Sequence, residues 1–408
     1  MEYKVGDLCT FQEGYVNPSQ KIEKYFDGPH KWVRAVDVNN NEIFNTSRTL
    51  SEEGFKSAKK SAYKFPANSI VITKSGTIGR VAIIKDEMAG NRATINIVPN
   101  EKLVNLYYLF YLLITKRQDL ENLAVGSVQK NLYISVLSTL KINVPELKKQ
   151  NKIAKVLKNI DDKIASNRHI IANLEELSQT LFKRWFVDFE FPDKNGNPYK
   201  SSGGEMVDSE LGEIPKNWSI KIVKEIAESF NSIRKPLSKL EREKRESIYP
   251  YYGATKIIDY VDNYIFDGKY ILVGEDGTVQ TETGNPFIQY VWGKFWVSNH
   301  AHILKGKLIS DELLMLYLKN TNVVPYITGA VQPKLNKKNL NSIKFVIADK
   351  ETIIKFENFI KSYFQKIRIL NKENKKLIEL RDTLLPKLMS GEIEIPDDIE
   401  VNTDELSI

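Results

Sequence analysis

The sequence predicts an α+β protein: two strand-rich domains separated by a pair of long antiparallel coiled-coil helices, arranged as a pseudo-twofold internal duplication. Three observations lead there. First, Gly126-Ser127-Val128-Gln129-Lys130-Asn131-Leu132 returns as Gly329-Ala330-Val331-Gln332-Pro333-Lys334-Leu335, and the offset then holds without a gap to Phe186 and Met389. Leu137, Lys163, Ile164, Leu174, Glu176, Leu177, Thr180 and Leu181 recur as Leu340, Lys366, Ile367, Leu377, Glu379, Leu380, Thr383 and Leu384. A long period seen twice argues for a duplicated domain-plus-helix unit and against a solenoid. Second, each copy opens with short β-branched runs bounded by turn residues. Third, each copy closes on apolar residues spaced alternately four and three apart, the seam of a coiled coil.

The first strand-rich domain covers residues 1–145. Trp32-Val33-Arg34-Ala35-Val36, Ser69-Ile70-Val71-Ile72-Thr73 and Arg80-Val81-Ala82-Ile83-Ile84 read as strands, with Ser75-Gly76-Thr77-Ile78-Gly79 a tight glycine turn between the last two. The turn is no P-loop, because the Gly-Lys-Ser/Thr ending is missing. Leu103 to Leu120 reads as one amphipathic helix.

A central helix follows over 146–190, with the seam Ile153, Leu157, Ile160, Ile164, Asn167, Ile171, Leu174, Ser178, Leu181 and an aromatic end at Phe182, Trp185, Phe186 and Phe189. Those aromatics either cap the coiled coil against a domain or face a partner; packing is favoured. Residues 191–215, rich in glycine, proline and polar groups, read as a surface linker. The second strand-rich domain spans 216–347. In it Tyr270 to Val279 resembles the earlier strand and glycine turn, and Asp311 to Lys319 the earlier helix. The second helix covers 348–390 with the seam Phe356, Ile360, Tyr363, Ile367, Leu370, Asn374, Leu377, Arg381, Leu384, and Pro386 is expected to interrupt it. Seams of this length span roughly 60 Å at 1.5 Å per residue. Asn167 and Asn374 straddle the midpoint of the repeated helix, so an antiparallel pair brings them into the same or adjacent layers. Residues 391–408 form an acidic tail expected to fray.

Composition bounds the function. With 42% hydrophobic and 27% charged residues the chain is a globular protein of two to four domains. It carries no apolar run of transmembrane length and no signal-peptide plan at Met1-Glu2-Tyr3-Lys4, so no membrane association and a cytoplasmic location are expected. One cysteine, Cys9, forbids internal disulfides, and four histidines leave little for a zinc site. Net charge is +7 although Glu392 to Ile408 hold seven acids and no base; without them it is +14. A basic body favours a polyanionic partner, nucleic acid first.

Catalytic machinery is not legible. There is no Asn/Asp-Pro-Pro-aromatic tetrad and no glycine-rich cofactor loop; Gly196-Asn197-Pro198-Tyr199 and Gly284-Asn285-Pro286-Phe287 come nearest, each with one proline. Pro192-Asp193-Lys194 lacks the second acidic arm of a nuclease. His300-Ala301-His302 alternates as on a strand, which sends one ring to the core and one to a groove and makes a poor chelate. No hydrolase arrangement is present. The chain reads as a binder, with no cofactor or metal of its own.

Several stretches together resemble the DNA-specificity (S) subunit of type I restriction–modification systems. They are the helix leader Val144-Pro145-Glu146-Leu147 with Gln150, Ile153, Leu157 and Asp161; Leu181-Phe182-Lys183-Arg184-Trp185-Phe186-Val187-Asp188-Phe189; Leu211-Gly212-Glu213-Ile214-Pro215-Lys216-Asn217-Trp218; Tyr249-Pro250-Tyr251-Tyr252-Gly253-Ala254-Thr255; Val297-Ser298-Asn299-His300-Ala301-His302; and the Gly329 to Leu335 repeat. The second leader departs from the pattern, since Val346-Ile347-Ala348-Asp349 lacks the proline and Ile353 stands where Gln150 would recur.

The resemblance implies two target-recognition domains, each reading half of a split site in double-stranded DNA, with the helices as spacer. It also implies two methyltransferase (M) subunits supplying S-adenosylmethionine and adenine-N6 methylation, and restriction (R) subunits adding ATP- and Mg-dependent translocation and cleavage. A methylation-only or type II-like assembly is the alternative; a coiled-coil scaffold that binds only protein is a further one.

Base readers should be polar side chains on glycine-bounded loops, with cations nearby for phosphates. In the first domain these are Lys74, Ser75, Thr77 and Arg80 around the glycine turn, Arg92, and Gln129 and Lys130. In the second they are Tyr251, Tyr252, Thr255, Lys256, Thr278, Gln280, His300, Gln332, Lys334 and Lys337. The Gly-x-Val-Gln shared by both copies suits a common phosphate or backbone role, because different half-sites do not require the same reader.

Overall fold

In the computed structural model, which describes residues 1–126, 130–329 and 331–396, the two β-rich stretches fold to one plan. The chain divides into two units, Met1–Asn167 with the residues from Glu373 onward, and Arg168–Lys372. Each contains a strand-rich domain and one half of each long helix, Leu147–Phe182 and Lys350–Ser390.

In the first unit the main sheet runs Cys9–Glu13, Thr94–Pro99, Ser69–Thr73, Val81–Ile84, Asn41–Ile43. The Ser69–Thr73 strand reads as a continuous apolar run because both of its faces are buried. A second sheet orders Thr49–Leu50, Phe26–Val33, Met88–Gly90 and Lys64–Phe65. The second unit repeats the first four strands of the main sheet as Ala227–Ser229, Ala301–Gly306, Tyr270–Gly274, Ile288–Val291, and the second sheet as Ile257–Val261, Tyr249–Tyr252, Lys294–Val297, Phe266–Asp267. Even the parallel pairing recurs: Trp32 opposite Ala89 in one unit, Tyr251 opposite Trp296 in the other. The duplication thus extends through domains whose sequences match only in patches. The expected single helix over 103–120 is two, Leu106–Thr115 and Arg117–Leu123, the first capped by Asn105, whose side chain accepts from Tyr108 N.

The first helix leader shows what its glutamine does. Gln150 is buried, donates to Leu103 O at 3.1 Å and Pro145 O at 2.8 Å, and accepts from Asn105 N at 2.8 Å. In the second unit Ile353 is buried at the corresponding place, and Glu357, one turn later, accepts from Ser310 N at 2.5 Å. Both acceptors satisfy an N-cap amide that burial would otherwise leave without a partner.

Within the first unit the helices run antiparallel: Asp161 pairs with Arg381 at 2.8 Å, Lys149 with Glu394 at 2.5 Å, and Asn167 Nδ2 donates to Asn374 Oδ1 at 2.9 Å. The two asparagines share a layer, as their register requires. Asn167 Oδ1 is buried with no hydrogen-bond partner, so the layer is held at a cost to stability. Asn167→Leu alone strands the Asn374 amide and is expected to lower stability by about 1–3 kcal/mol. Asn167→Leu with Asn374→Leu should recover at least the wild-type value in urea denaturation; a double variant weaker than either single one would show the pair to be stabilising.

Four further expectations are corrected. Pro386 does not interrupt the second helix, which continues to Ser390; its exposed side sacrifices one backbone bond near the terminus, while Leu385 and Leu388 turn inward. The central helix ends in a π turn over Lys183–Val187, and this widened turn buries consecutive Trp185 and Phe186. The stretch read as a linker is folded: Phe191 stacks on Tyr199 (4.6 Å) and Trp218 (4.9 Å), and Met206–Val207 pairs with Ile214–Pro215. The start of the acidic tail is packed too, since Ile393 and Ile395 lie against the first unit's core. Ile395-Pro396 sits beside Glu146 to Ile153 as Phe191-Pro192 sits beside Asp349 to Lys355, so the repeat outlasts its visible sequence match.

Candidate nucleic-acid interface

In each unit the glycine turn meets the repeated loop. In the first, Gly76 and Gly79 take φ of 75° and 79° in the turn joining Ser69–Thr73 to Val81–Ile84, a conformation that glycine adopts without strain. The Thr73 hydroxyl ties the turn by donating to Thr77 O. The loop after Gly126 closes on itself through Val125 and Asn131, is bridged to Ser75, and donates Leu132 N to Lys74 O at 2.9 Å. Lys74, Ser75, Thr77 and Arg80 are thereby collected on the rim that carries Lys130; Arg92 joins them because Ala93 O accepts from Lys74 N at 2.9 Å. Lys74 pairs with Glu13 at 3.1 Å. Lys74, Arg80, Arg92 and Lys130 give this rim four cationic residues, of which Lys74 is mostly buried in its pair with Glu13 while Arg92 and Lys130 are exposed.

The second unit repeats the backbone. Gly277 has φ 79° and Gly329 φ 90°, Lys334 is bridged to both Asp276 and Thr328, and Leu335 N donates to Glu275 O at 3.0 Å. Its chemistry differs. Where the first unit has Lys74-Ser75, the second has Glu275-Asp276. Arg234 donates to Glu275 at 2.8 Å and to Asn299 O and Ala301 O at 3.1 and 2.7 Å. Lys334 Nζ lies 3.0 Å from Asp276 and 3.8 Å from Glu275. His302 is buried, accepts from Asn231 at Nδ1 (2.7 Å) and donates from Nε2 to Leu335 O (2.6 Å); burial pushes its pKa down, which keeps the ring neutral. His300 is exposed beside Asp276 at 3.7 Å. His302, on the strand Ala301–Gly306, faces the core, and His300, in the turn before that strand, is exposed. Tyr252 O accepts from Ser298 N at 2.9 Å, which brings the Gly253 to Lys256 turn to the same rim.

Two copies of one scaffold, each presenting a loop pair rich in polar side chains, suit recognition of two related targets. The model of the type I restriction modification DNA specificity domain matches residues 1–176 and 215–379. The chain belongs to this family. Among individual proteins it is 28% identical to the MjaIX type I restriction enzyme specificity subunit of Methanocaldococcus jannaschii, over 96% of this chain and 93% of that one. It is 22% identical to the HindI specificity subunit of Haemophilus influenzae, over 96% and 99%. Its fold matches the crystal structure of the type I restriction-modification system S subunit from M. genitalium with a TM-score of 0.60 at 19% identity, covering 95% of each chain. Among the described residues no helix is long and apolar enough to cross a membrane.

As a type I specificity subunit the chain carries two DNA-specificity domains, and the rims described above locate the named residues within them. Tyr251 is the clear correction. It is 1% exposed, occupies the place of Trp32 in the other unit, accepts from Leu237 N at 3.0 Å and lies under Arg242, so it is a core ring. Tyr252 is half-buried with its edge against Phe295. Thr255, Lys256, Thr278, Gln332 and Lys334 stay on the rim. Gln280 lies off the rim, in the hairpin beyond Val279, with Oε1 buried. Lys337 opens a short helix and lines a separate surface with Lys224 and Lys338. Gln129 lies outside the described residues. Sequence reasoning missed Arg234, Glu275 and Asp276; the contrast of Glu275-Asp276 with Lys74-Ser75 at the repeated turn was the available signal.

Proposed function

We propose that this specificity subunit reads a split sequence in double-stranded DNA, one half-site per strand-rich domain, with the helix pair as spacer. It docks methyltransferase subunits that supply S-adenosylmethionine and adenine-N6 methylation, and restriction subunits that add ATP- and Mg-dependent cleavage. The observation that carries this is the pair of equivalent turn–loop rims whose backbones agree and whose side chains differ, as two unlike half-sites demand. Family membership and the basic balance of the chain support it.

Sequencing N6-methyladenine in a host carrying the chain with its methyltransferase partner should return a split motif with a fixed gap. Inserting one helical turn into each long helix should change the gap and preserve both half-sites. A continuous motif, or loss of half-site identity on insertion, overturns the proposal.

A further inference from the structure

At the centre of the second rim two cations, Arg234 and Lys334, face two carboxylates, Glu275 and Asp276. Carboxylates are unfavourable neighbours for DNA phosphates, and a lysine that simply neutralises phosphate needs no clamp, since its compact charge works from a flexible stem. Lys334 has one. Its backbone is fixed on both sides, with Lys334 N donating to Thr328 O at 2.8 Å and Gly277 N donating to Pro333 O at 3.0 Å. Its ammonium, held above the usual lysine range by the Asp276 carboxylate, stays charged while facing two acceptors.

An ammonium has three N–H donors; Asp276 lies within hydrogen-bond reach at 3.0 Å and Glu275, at 3.8 Å, only within ion-pair reach, so donor capacity remains on a side chain still 45% exposed. Glu275 is itself immobilised by Arg234, which is anchored to two carbonyls. With Lys334 this exposed, its pairs with Glu275 and Asp276 contribute little to stability, which leaves direction as what the carboxylates supply to the lysine.

Resting on the proposed DNA-reading function, we infer that Glu275 and Asp276 are positioning residues that turn Lys334 from a phosphate contact into a base-reading donor, directed at the O6/N7 acceptors of a guanine in the half-site of the second domain. Lysine to guanine O6/N7 is among the commonest specific major-groove contacts. The first unit places Asn131 where Lys334 stands and Lys74-Ser75 where the carboxylates stand. Its surplus of cations makes it the stronger phosphate binder of the two rims.

The test uses the complex of this chain with its methyltransferase partner and takes two readouts: the N6-methyladenine motif, and the slope of log binding constant against log salt. Lys334→Met should loosen a guanine preference at one position of one half-site by about tenfold or more, leave the other half-site intact and barely move the slope. Asp276→Asn, which keeps the turn's shape, should weaken discrimination at that same position and steepen the slope by about 0.9 as the freed ammonium finds a phosphate. If Lys334→Met instead weakens all sequences alike and flattens the slope by about 0.9, Lys334 is an ordinary phosphate contact and the inference falls. It falls equally if neither readout moves. Failure of the underlying function is separate, because it would appear as the absence of a split motif in the wild-type complex.

Discussion

Phe356→Ala is expected to cost the unit built on Arg168–Lys372 about 3–5 kcal/mol, the range for truncating a fully buried aromatic. Phe356 is 0% exposed and meets Phe186 edge-on at 4.8 Å, Trp185 at 5.5 Å and Phe182 at 6.4 Å. Those rings come from the aromatic end of the central helix, and Phe186 reaches on to Tyr317 and Trp218, both at 5.5 Å. Phe356 itself is the first seam position of the other helix. The cavity left by alanine would therefore be walled by side chains fixed on several elements, with little freedom to collapse. Urea denaturation should show the loss, with hydrogen exchange rising in peptides covering residues 182–191 and 313–318. Phe356→Leu should restore much of it. A loss below about 1 kcal/mol would mean that the cluster repacks around the gap.

This cluster also marks how far the sequence is legible. Helix periodicity depends on one side chain per layer, so most of the seam and the Asn167–Asn374 layer follow from spacing. Phe364, however, is buried where the spacing named Tyr363, which is only half-buried, and Trp185 and Phe186 are buried together only because of the π turn. Glycine turns are legible for a similar reason, because a left-handed φ at Gly76 or Gly277 is a local requirement. What depends on partners distant in sequence is not. Gln150 and Glu357 do the same work one turn apart, so when the two leaders are aligned residue by residue the later one lacks its capping acceptor. Tyr251 stands in an aromatic, glycine-bounded motif resembling a binding loop, yet its register against Trp296 puts it in the core. Phe191 and Tyr199 are hidden among glycines and prolines until Trp218 is placed between the sheets and the helices. Arg234 reaches Glu275 across 41 residues, and no local pattern announces that contact.

The same logic gives the second large effect. Glu312 carries a carboxylate 8% exposed that accepts from Lys269 at 2.7 Å, Tyr290 Oη at 2.7 Å and Arg368 at 3.1 Å, joining a helix, a strand and the C-terminal helix in one network. Glu312→Ala leaves the Arg368 guanidinium facing a buried hydroxyl with its counter-charge gone, and should cost about 3 kcal/mol, the low end for breaking a buried pair because Lys269 remains partly solvated. Glu312→Gln should cost less, since it keeps an acceptor for Tyr290.

The pH dependence separates charge from packing. Burial alone would raise the Glu312 pKa, but the hydrogen bonds from Lys269 and Tyr290 outweigh it and hold the carboxyl below the usual glutamate range. Its stabilisation is therefore present above the unfolded-state pKa and lost as pH falls through the lower folded-state value. Neighbouring Asp311 has the opposite sign: burial raises its pKa, so its contribution is present in acid and lost as pH rises through the folded-state value. Part of the Asp311 shift comes from the Glu312 charge, so the comparison is made in an Asp311→Asn background, where the stability difference made by Glu312→Gln isolates Glu312. That difference should be largest at neutral pH and shrink on acidification below the ordinary glutamate range. A difference that stays constant with pH would show that Glu312 acts through shape and hydrogen bonding, and that the charge network adds no stability of its own.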